Sequence, residues 1–354
     1  MTGVSSVLRR PLSGPAAWNG PDLQDTGQWV LRLSPPQLRE LDEALRAARA
    51  RGTPLLKLTA AGFPLPSLAA ELAGITDALE HGRGFALISG LPVAQYGETA
   101  ASTVLWGLGQ HLGIPVSQNA AGQMLGHVRD TGRTLADPAT RGYQTRGRLP
   151  FHTDPSDVLA LLCLRPARSG AQMSLVSSTA VHNRVLARRP DLVDRLYHRY
   201  CFDRREEQGL GELPYFRAPL ASWYGGRLSL RYHRCYLESA QRFPEVPRLT
   251  PADRELFDLM DELTSTQDLR LDLDLQAGDL LLLNNHAVLH ARTEFEDGAV
   301  PEEKRHLLRL WLTPWQRRDL PADFWGDRHQ ADDRRGRGGV APRDVIARAK
   351  GISV

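Results

Sequence analysis

Residues 149–164, LPFHTDPSDVLALLCL, place His152 and Asp154 immediately before a run of apolar residues. The run 157–164 is apolar at successive positions, which is typical of a strand buried on both faces. Residues i and i+2 of an extended chain point the same way, so the imidazole and the carboxylate could share one cation. The pattern alone does not establish a metal site. The alternative is a solvent-facing histidine beside an aspartate that caps a turn before Pro155.

A metal site at His152 and Asp154 would need a further ligand from a distant part of the chain. Two histidines and one carboxylate form the facial triad that holds non-haem Fe(II) and leaves the other coordination positions open. Residues 284–292, NNHAVLHAR, offer His286 and His290. The spacing of these two histidines does not choose between them.

A strand near the C-terminus carries two arginines on one face. In residues 305–312, RHLLRLWL, one face of the predicted strand carries Arg305, Leu307, Arg309 and Trp311. The other face is mostly apolar, which is typical of a face that packs in the core. At ~3.3 Å per residue, the two arginines lie roughly 13 Å apart. An inward arginine grips a planar anion through two parallel hydrogen bonds. The pair therefore suggests two anionic ligands, a co-substrate and a substrate, and the alternative is two structural salt bridges.

The order of the predicted elements places helices first and strands last. Apolar periodicity and capping residues predict helices over 34–48, 67–81, 98–113 and 250–263. Strands are predicted at 84–92, 123–130, 157–164, 269–275, 280–292 and 305–312. We expect a helical N-terminal third packed on a β core, with no composition shift that would mark a domain boundary.

Composition excludes several classes of protein. Lys and Arg number 44 against 41 Asp and Glu, a balance too even for a nucleic-acid partner. No window approaches the ~18 apolar residues of a membrane span, and the N-terminus lacks the apolar stretch of a signal peptide. Cys163, Cys201 and Cys235 form no CxxC pair, which favours a reducing, cytoplasmic setting. The arginine cluster at 332–339 favours a solvated C-terminal tail.

Four segments together resemble the TauD/TfdA-like family of Fe(II)- and 2-oxoglutarate-dependent dioxygenases. They are LPFHTDPSDVLALLCLRPARSG, VSSTAVHN, AGDLLLLNNHAVLHARTEFED and KRHLLRLWLTP. The resemblance implies an α+β fold with a double-stranded β-helix, or jelly-roll, core over about 85–315. We expect one domain over 1–354, with 1–84 as a helical extension and 328–354 as a mobile or peripheral tail.

The resemblance also implies roles for individual residues. His152, Asp154 and His290 match the residues that bind Fe(II), which selects His290 over His286. Arg305 matches the arginine that holds the distal carboxylate of 2-oxoglutarate, and Arg309 matches a position that contacts the substrate's acidic group in several relatives. Many relatives assist 2-oxoglutarate with a Thr or Ser where this chain has Met173. Two residues could replace it: Ser174 and Thr179.

The implied activity is that of a hydroxylase or desaturase, because halogenating relatives lack the carboxylate that Asp154 provides. We expect O2 and a small anionic or amino-acid-like molecule as substrates, with succinate and CO2 as co-products. The expected role is biosynthetic tailoring, and a homo-oligomer is possible. Alternatives are a taurine or alkylsulfonate dioxygenase for sulfur scavenging, a hydrolytic metalloprotein, and a non-catalytic jelly-roll binding protein. Candidate substrate contacts, besides Arg309, are Gln118, Gln123, Tyr215, Phe216, Trp223 and Arg231.

Overall fold

The structure of the chain is a computed structural model that describes residues 6–209, 211–326 and 337–343. Within these residues the α-helices are α1 (Pro35–Ala50), α2 (Leu68–Glu80), α3 (Val93–Leu112), α4 (Ser178–Arg188), α5 (Arg234–Ser239) and α6 (Pro251–Ser265). Among the described residues, no helix combines the length and the apolar character needed to cross a bilayer.

The strands follow in chain order. They are β1 (Val30–Arg32), β2 (Phe85–Ser89), β3 (Gly113–Pro115), β4 (Leu125–Val128), β5 (Leu149–His152), β6 (Val158–Arg165), β7 (Ser169–Gly170), β8 (Met173–Ser177), β9 (Arg199–Asp203), β10 (Tyr215–Pro219), β11 (Ala221–Tyr224), β12 (Arg227–Leu230), β13 (Leu271–Leu273), β14 (Leu280–Asn284), β15 (Val288–Arg292), β16 (Phe295–Glu296) and β17 (His306–Pro314).

Two sheets form the β core. The larger has the order β1-β2-β14-β6-β17, and β17 continues into pairings with both β3 and β4. The smaller has the order β13-β8-β15-β5. From β5 onward the chain passes repeatedly between the sheets: β5 and β8 lie in the smaller, β6 and β17 in the larger. The turn at 285–287 divides the predicted strand 280–292 into β14 in one sheet and β15 in the other. This alternation is the expected double-stranded β-helix, so the α+β jelly-roll prediction is confirmed.

The N-terminal helices cover the outer face of the larger sheet. Helix α1 begins where the sequence predicts, because Ser34 and Gln37 form a capping box and Pro35 occupies its first turn. Its buried Leu41 and Leu45 belong to a core that reaches the sheet. Helix α3 begins five residues before its predicted start, and its backbone is non-helical at Gly97, where φ is 67°.

Strand β17 separates two cores. Leu308, Leu310 and Leu312 point toward the helices, whereas Leu307 and Trp311 point into the space between the sheets. The predicted division of this strand into two faces is therefore confirmed. Its consequence is that Arg305 and Arg309 face the interior of the jelly roll.

Part of the predicted C-terminal tail falls outside the described residues. Residues 337–343 are described, and they lie against the turn that follows His152 and Asp154. Gly339 donates a backbone hydrogen bond to Pro155, and Val340 donates one to Ser117.

Substitution of Leu162 by alanine tests the packing between helices and sheet. Leu162 is fully buried on the central strand β6. We expect Leu162→Ala to lower the free energy of unfolding by about 3 kcal/mol, the usual cost of truncating a buried leucine. Leu56→Ala is the matched control, because Leu56 is 62% exposed. Chemical denaturation measures both, and equal losses would contradict this assignment of the core.

Candidate active site

Strand pairing brings two histidines together. Strands β5 and β15 are antiparallel neighbours, and His152 lies directly opposite His290 in their register. Their ring centroids are 4.3 Å apart. The Nδ1 of His152 lies 2.8 Å from the carbonyl oxygen of Pro150. A carbonyl only accepts, so Nδ1 carries the proton and Nε2 keeps its lone pair for a ligand.

Asp154 lies in the turn just beyond β5, where side chains from other strands fix it. Its backbone N–H donates to Oδ1 of Asn285 at 3.0 Å. Its carboxylate accepts a hydrogen bond from Nε1 of Trp311 at 2.8 Å, and the guanidinium of Arg309 lies 3.4 Å away. The two inward residues of β17 therefore orient the carboxylate toward the histidines.

One ligating atom each from His152, Asp154 and His290 lies within 4.8 Å of the other two. The group borders a cavity of about 360 Å³ between the sheets. His286 does not join it, because its Nε2 lies 2.6 Å from the carboxylate of Asp157 instead. The geometry thus favours His290 over His286, the choice that the spacing alone left open.

The charge states of the three side chains suit a divalent cation. Burial, with His152 nearby, lowers the pKa of His290 to about 3, and burial also lowers the pKa of His152. Burial alone would raise the pKa of Asp154, but Arg309 and the two imidazoles hold it below its usual range. At neutral pH the group therefore presents two neutral imidazoles and one carboxylate, which is the donor set that non-haem iron requires.

Arg305 lies in the cavity wall at the start of β17. Its side chain packs over Phe295 at 5.1 Å, and its guanidinium donates no hydrogen bond to any described residue. Burial lowers the pKa of Arg305 to about 10, so the group remains a cation at neutral pH. A buried cation without a hydrogen-bonding partner fits a carboxylate ligand.

Arg309 is already engaged by the protein. Its Nε donates to Oε1 of Gln118 at 2.7 Å, and its guanidinium also contacts Asp154. Gln118 in turn donates to the carbonyl oxygen of Arg309 at 2.7 Å. Gln118 does not line the cavity. In the structure its side chain holds Arg309, and its predicted contact with substrate stays a prediction.

The expected replacements for the missing Thr or Ser do not lie in the cavity. Met173 lines it. Ser174, the next residue on β8, points to the other face of the sheet, where its hydroxyl donates to Asp272 at 2.6 Å. Thr179 lies in the first turn of α4, away from the cavity. The alternation of β8 leaves an apolar side chain at the cavity position, and neither hydroxyl lines the cavity.

Three predicted substrate contacts lie outside the cavity wall. Tyr215 is buried beside Phe243, with ring centroids 5.8 Å apart. Gln123 accepts a hydrogen bond from Asn119 at 2.6 Å, and Trp223 packs against Arg10 at the edge of the hairpin β11–β12. Phe216 and Arg231 do line the cavity. The sequence alone could not tell which of these residues line the cavity. Neighbouring side chains on one strand, such as Tyr215 and Phe216, point in opposite directions.

Four residues belong to the site in the structure although the sequence did not assign them to it. Trp311 carried a signal, because it shares a face with Arg305 and Arg309. His233 lies against His152 with ring centroids 5.0 Å apart, and Tyr236 stacks on His233 at 3.6 Å. Tyr143 covers Arg309 at 4.5 Å. No local pattern marks these last three: His233 directly precedes α5, Tyr236 lies in α5, and Tyr143 lies between β4 and β5.

A jelly roll that carries two histidines and a carboxylate beside an interior cavity defines the class of non-haem iron oxygenases. The sequence model of the taurine catabolism dioxygenase TauD, TfdA family matches residues 50–311. The chain belongs to this family, and it is an iron- and 2-oxoglutarate-dependent dioxygenase.

Two relatives extend over most of the chain. An FR-33289 synthase of Streptomyces rubellomurinus is 30% identical over 334 residues, covering 90% of this chain and 96% of that protein. The taurine hydroxylase-like protein SAT17 of Stachybotrys chartarum is 28% identical over 311 residues, covering 86% of this chain and 80% of that protein.

Solved structures show the same fold. An asparagine oxygenase in complex with Fe(II), 2S,3S-3-hydroxyasparagine and succinate superposes with a TM-score of 0.63 at 18% identity, over 80% of this chain and 93% of that chain. The non-haem iron oxygenase OrfP in complex with Fe and alpha-ketoglutaric acid gives a TM-score of 0.58 at 18% identity, again over 80% and 93% of the two chains.

Trp311→Phe tests whether the indole orients Asp154 for the metal. The variant removes the N–H donor and keeps an aromatic ring. We expect about tenfold weaker binding of Mn(II), a redox-stable substitute for Fe(II), because a lost outer-shell hydrogen bond typically costs 10–100-fold in affinity. Anaerobic Mn(II) titration by electron paramagnetic resonance measures it.

Trp106→Phe is the control, since it loses an indole hydrogen bond of 3.0 Å to Leu58 on the far side of the larger sheet. If both variants bound Mn(II) as tightly as the wild type, the indole would have no such role.

Proposed function

We propose that this protein hydroxylates an unactivated C–H bond of a small anionic or amino-acid-like molecule in a biosynthetic tailoring step. Succinate and CO2 are the co-products. The observation that carries the proposal is the convergence of His152, Asp154 and His290 within 4.8 Å beside the interior cavity. The name of the FR-33289 synthase supports a biosynthetic role, and the name of the taurine hydroxylase-like protein SAT17 supports hydroxylation.

The three side chains would hold Fe(II), and Arg305 would hold the distal carboxylate of 2-oxoglutarate. The residues fit these groups: the metal donors are unprotonated at neutral pH, and the guanidinium of Arg305 is buried without a hydrogen-bonding partner among the described residues. When bound, iron and 2-oxoglutarate together supply the oxidising power that C–H hydroxylation needs.

The chain's own residues orient and shield the reacting groups. Trp311 and Arg309 fix the carboxylate of Asp154, and the Nδ1 hydrogen bond of His152 fixes its ring. Leu159, Leu161 and Leu307 form apolar parts of the cavity wall, where they would disfavour water. A dry, shaped site protects a reactive centre from side reactions.

The setting we propose is the cytoplasm. None of the three cysteines forms a disulfide in the described structure. Reduced cysteines are typical of proteins that work in a reducing compartment.

The first experiment is anaerobic spectroscopy of the loaded protein. Fe(II) plus 2-oxoglutarate should give a weak visible charge-transfer band in the wild type, absent in Asp154→Ala and His290→Ala, because each variant removes one metal ligand. His286→Gln is the control, since this histidine bonds to Asp157 and not to the metal group. Far-UV circular dichroism checks that each variant folds. A wild type without the band would contradict the proposal.

Arg305→Gln tests the co-substrate anchor. The variant loses a charge-assisted hydrogen bond worth about 1.5–3 kcal/mol. The concentration of 2-oxoglutarate that gives half-saturation should therefore rise roughly 10–100-fold. Titration of the charge-transfer band measures this. Arg165→Gln is the matched control, because Arg165 donates to the carbonyl oxygen of Lys304 outside the cavity. An unchanged requirement in Arg305→Gln would mean that another residue holds the co-substrate.

A succinate-release screen identifies the substrate class. Amino acids, small carboxylic acids and alkylsulfonates are each added to the iron-loaded enzyme with 2-oxoglutarate and O2. Acceleration by amino acids or carboxylic acids supports the tailoring role, and acceleration by alkylsulfonates alone would favour the sulfur-scavenging alternative.

A further inference from the structure

The cavity wall is strongly cationic, and most of its arginines are already bound by the protein. The engaged arginines pair with carboxylates or donate to backbone carbonyls, and they are Arg141, Arg205, Arg234, Arg292 and Arg309. Two further arginines line the same wall, Arg231 and Arg305. The guanidinium of neither donates a hydrogen bond to any residue that the structure describes.

Arg231 is the more isolated of the two. It is 7% exposed, and both of its terminal nitrogens are buried without a hydrogen-bonding partner in the described part of the chain. Its guanidinium lies 4.9 Å from the ring centroids of Phe324 and Trp325 and 5.7 Å from that of Phe216. Burial alone lowers the pKa of Arg231 to about 9, with no carboxylate acting on it. The side chain is therefore a buried cation at neutral pH, surrounded by aromatic faces and without a counter-ion among the residues that the structure describes.

Folding alone does not account for such a group. A buried charge is stable when it is paired and hydrogen-bonded, and an uncompensated one destabilises the native state. Contacts with aromatic faces offset part of this cost but satisfy none of the N–H donors. Arg318 shows the usual arrangement in this chain, since it is buried but paired with Glu80 at 3.0 Å. The open donors of Arg231 instead suit an acceptor that arrives with a ligand.

Arg231 and Arg305 serve different ligands because they occupy different surroundings. Arg305 packs on Phe295 at the start of β17. Arg231 packs on Phe216, Phe324 and Trp325, and it is two residues from His233, whose ring lies 5.0 Å from that of His152. An anion on Arg231 would thus belong to a molecule that approaches the metal ligands from the side of His233.

We propose that Arg231 binds an oxyanion group of the prime substrate, and this inference rests on the proposed function. The substrate class is a small molecule with a carboxylate, sulfonate or phosphate group, anchored by the guanidinium fork and flanked by aromatic rings. Arg309, the arginine that the family resemblance implied for this contact, is engaged with Asp154 and Gln118. Its role here is to position Asp154.

The test uses the oxygen-free protein loaded with Fe(II) and saturating 2-oxoglutarate, so that Arg305 is occupied. Inorganic phosphate and sulfate are the probes, with chloride at matched ionic strength as the control. In the wild type we expect both oxyanions to raise the melting temperature by several degrees over chloride. In Arg231→Met the rise should disappear, whereas Arg184→Gln, which removes an exposed partner of Asp268, should keep it.

A second readout separates binding from structure. If Arg231 is held for a ligand, Arg231→Met should melt no lower than the wild type without phosphate or sulfate, because it removes an uncompensated buried charge. A fall of several degrees that Arg231→Lys reverses would mean that the cation is structural and would overturn the inference. So would an oxyanion response of equal size in wild type and Arg231→Met, or no response in the wild type.

The succinate-release screen then identifies the anion. Carboxylate, sulfonate and phosphate compounds of matched chain length are compared with their uncharged esters or amides. Acceleration by anions, with at least a 100-fold lower kcat/KM in Arg231→Gln, supports the inference, and equal acceleration by the neutral analogues overturns it. The charge-transfer band separates the two proposals: its absence from the wild type contradicts the proposed function, whereas its presence without an effect of Arg231 contradicts only this inference.

Discussion

The antiparallel pairing of β5 with β15 is the constraint on which the site depends. This register sets His152 directly across from His290, although the two residues are far apart in the chain. A shift of one residue would turn one imidazole to the other face of the smaller sheet. The strand β8 holds β15 from its other side, so the register is fixed by two neighbours. The metal-binding geometry is thus a property of the sheet and not of a flexible loop.

Asp154 requires a different kind of support, because it lies beyond the end of β5. Its position depends on the turn between β14 and β15, which supplies Asn285, and on β17, which supplies Trp311 and Arg309. The carboxylate is thereby tied to both sheets. A buried anion with these donors stays ionised and keeps one orientation. The larger sheet therefore contributes to the site by fixing a carboxylate that lies just beyond a strand of the smaller one, as well as by lining the cavity.

The parts of this arrangement that the sequence predicts are those set by periodicity. Alternation along β17 places Arg305, Arg309 and Trp311 on one face, and capping residues locate α1. Pairings between distant strands leave no such local signal, so spacing alone could not choose between His286 and His290. Loop residues such as His233 and Tyr143 were missed because their positions depend on packing around the cavity. Tyr215, Gln123 and Trp223 lie outside the cavity wall, since the direction of a side chain and the packing of distant segments decide which residues line it.

The arginines of the cavity wall show why the presence of charged residues does not by itself define a binding site. Arg309 and Arg231 are both buried and both line the cavity, yet only Arg309 has a carboxylate partner. What distinguishes them is the balance of charge and hydrogen bonds around each guanidinium, which arises only when distant segments pack together. A protein tolerates an uncompensated buried cation where a bound ligand supplies the missing negative charge and hydrogen-bond acceptors. The unfilled donors of Arg305 and Arg231 are therefore the two anion positions that we propose, and the metal-binding group lies in the wall of the same cavity.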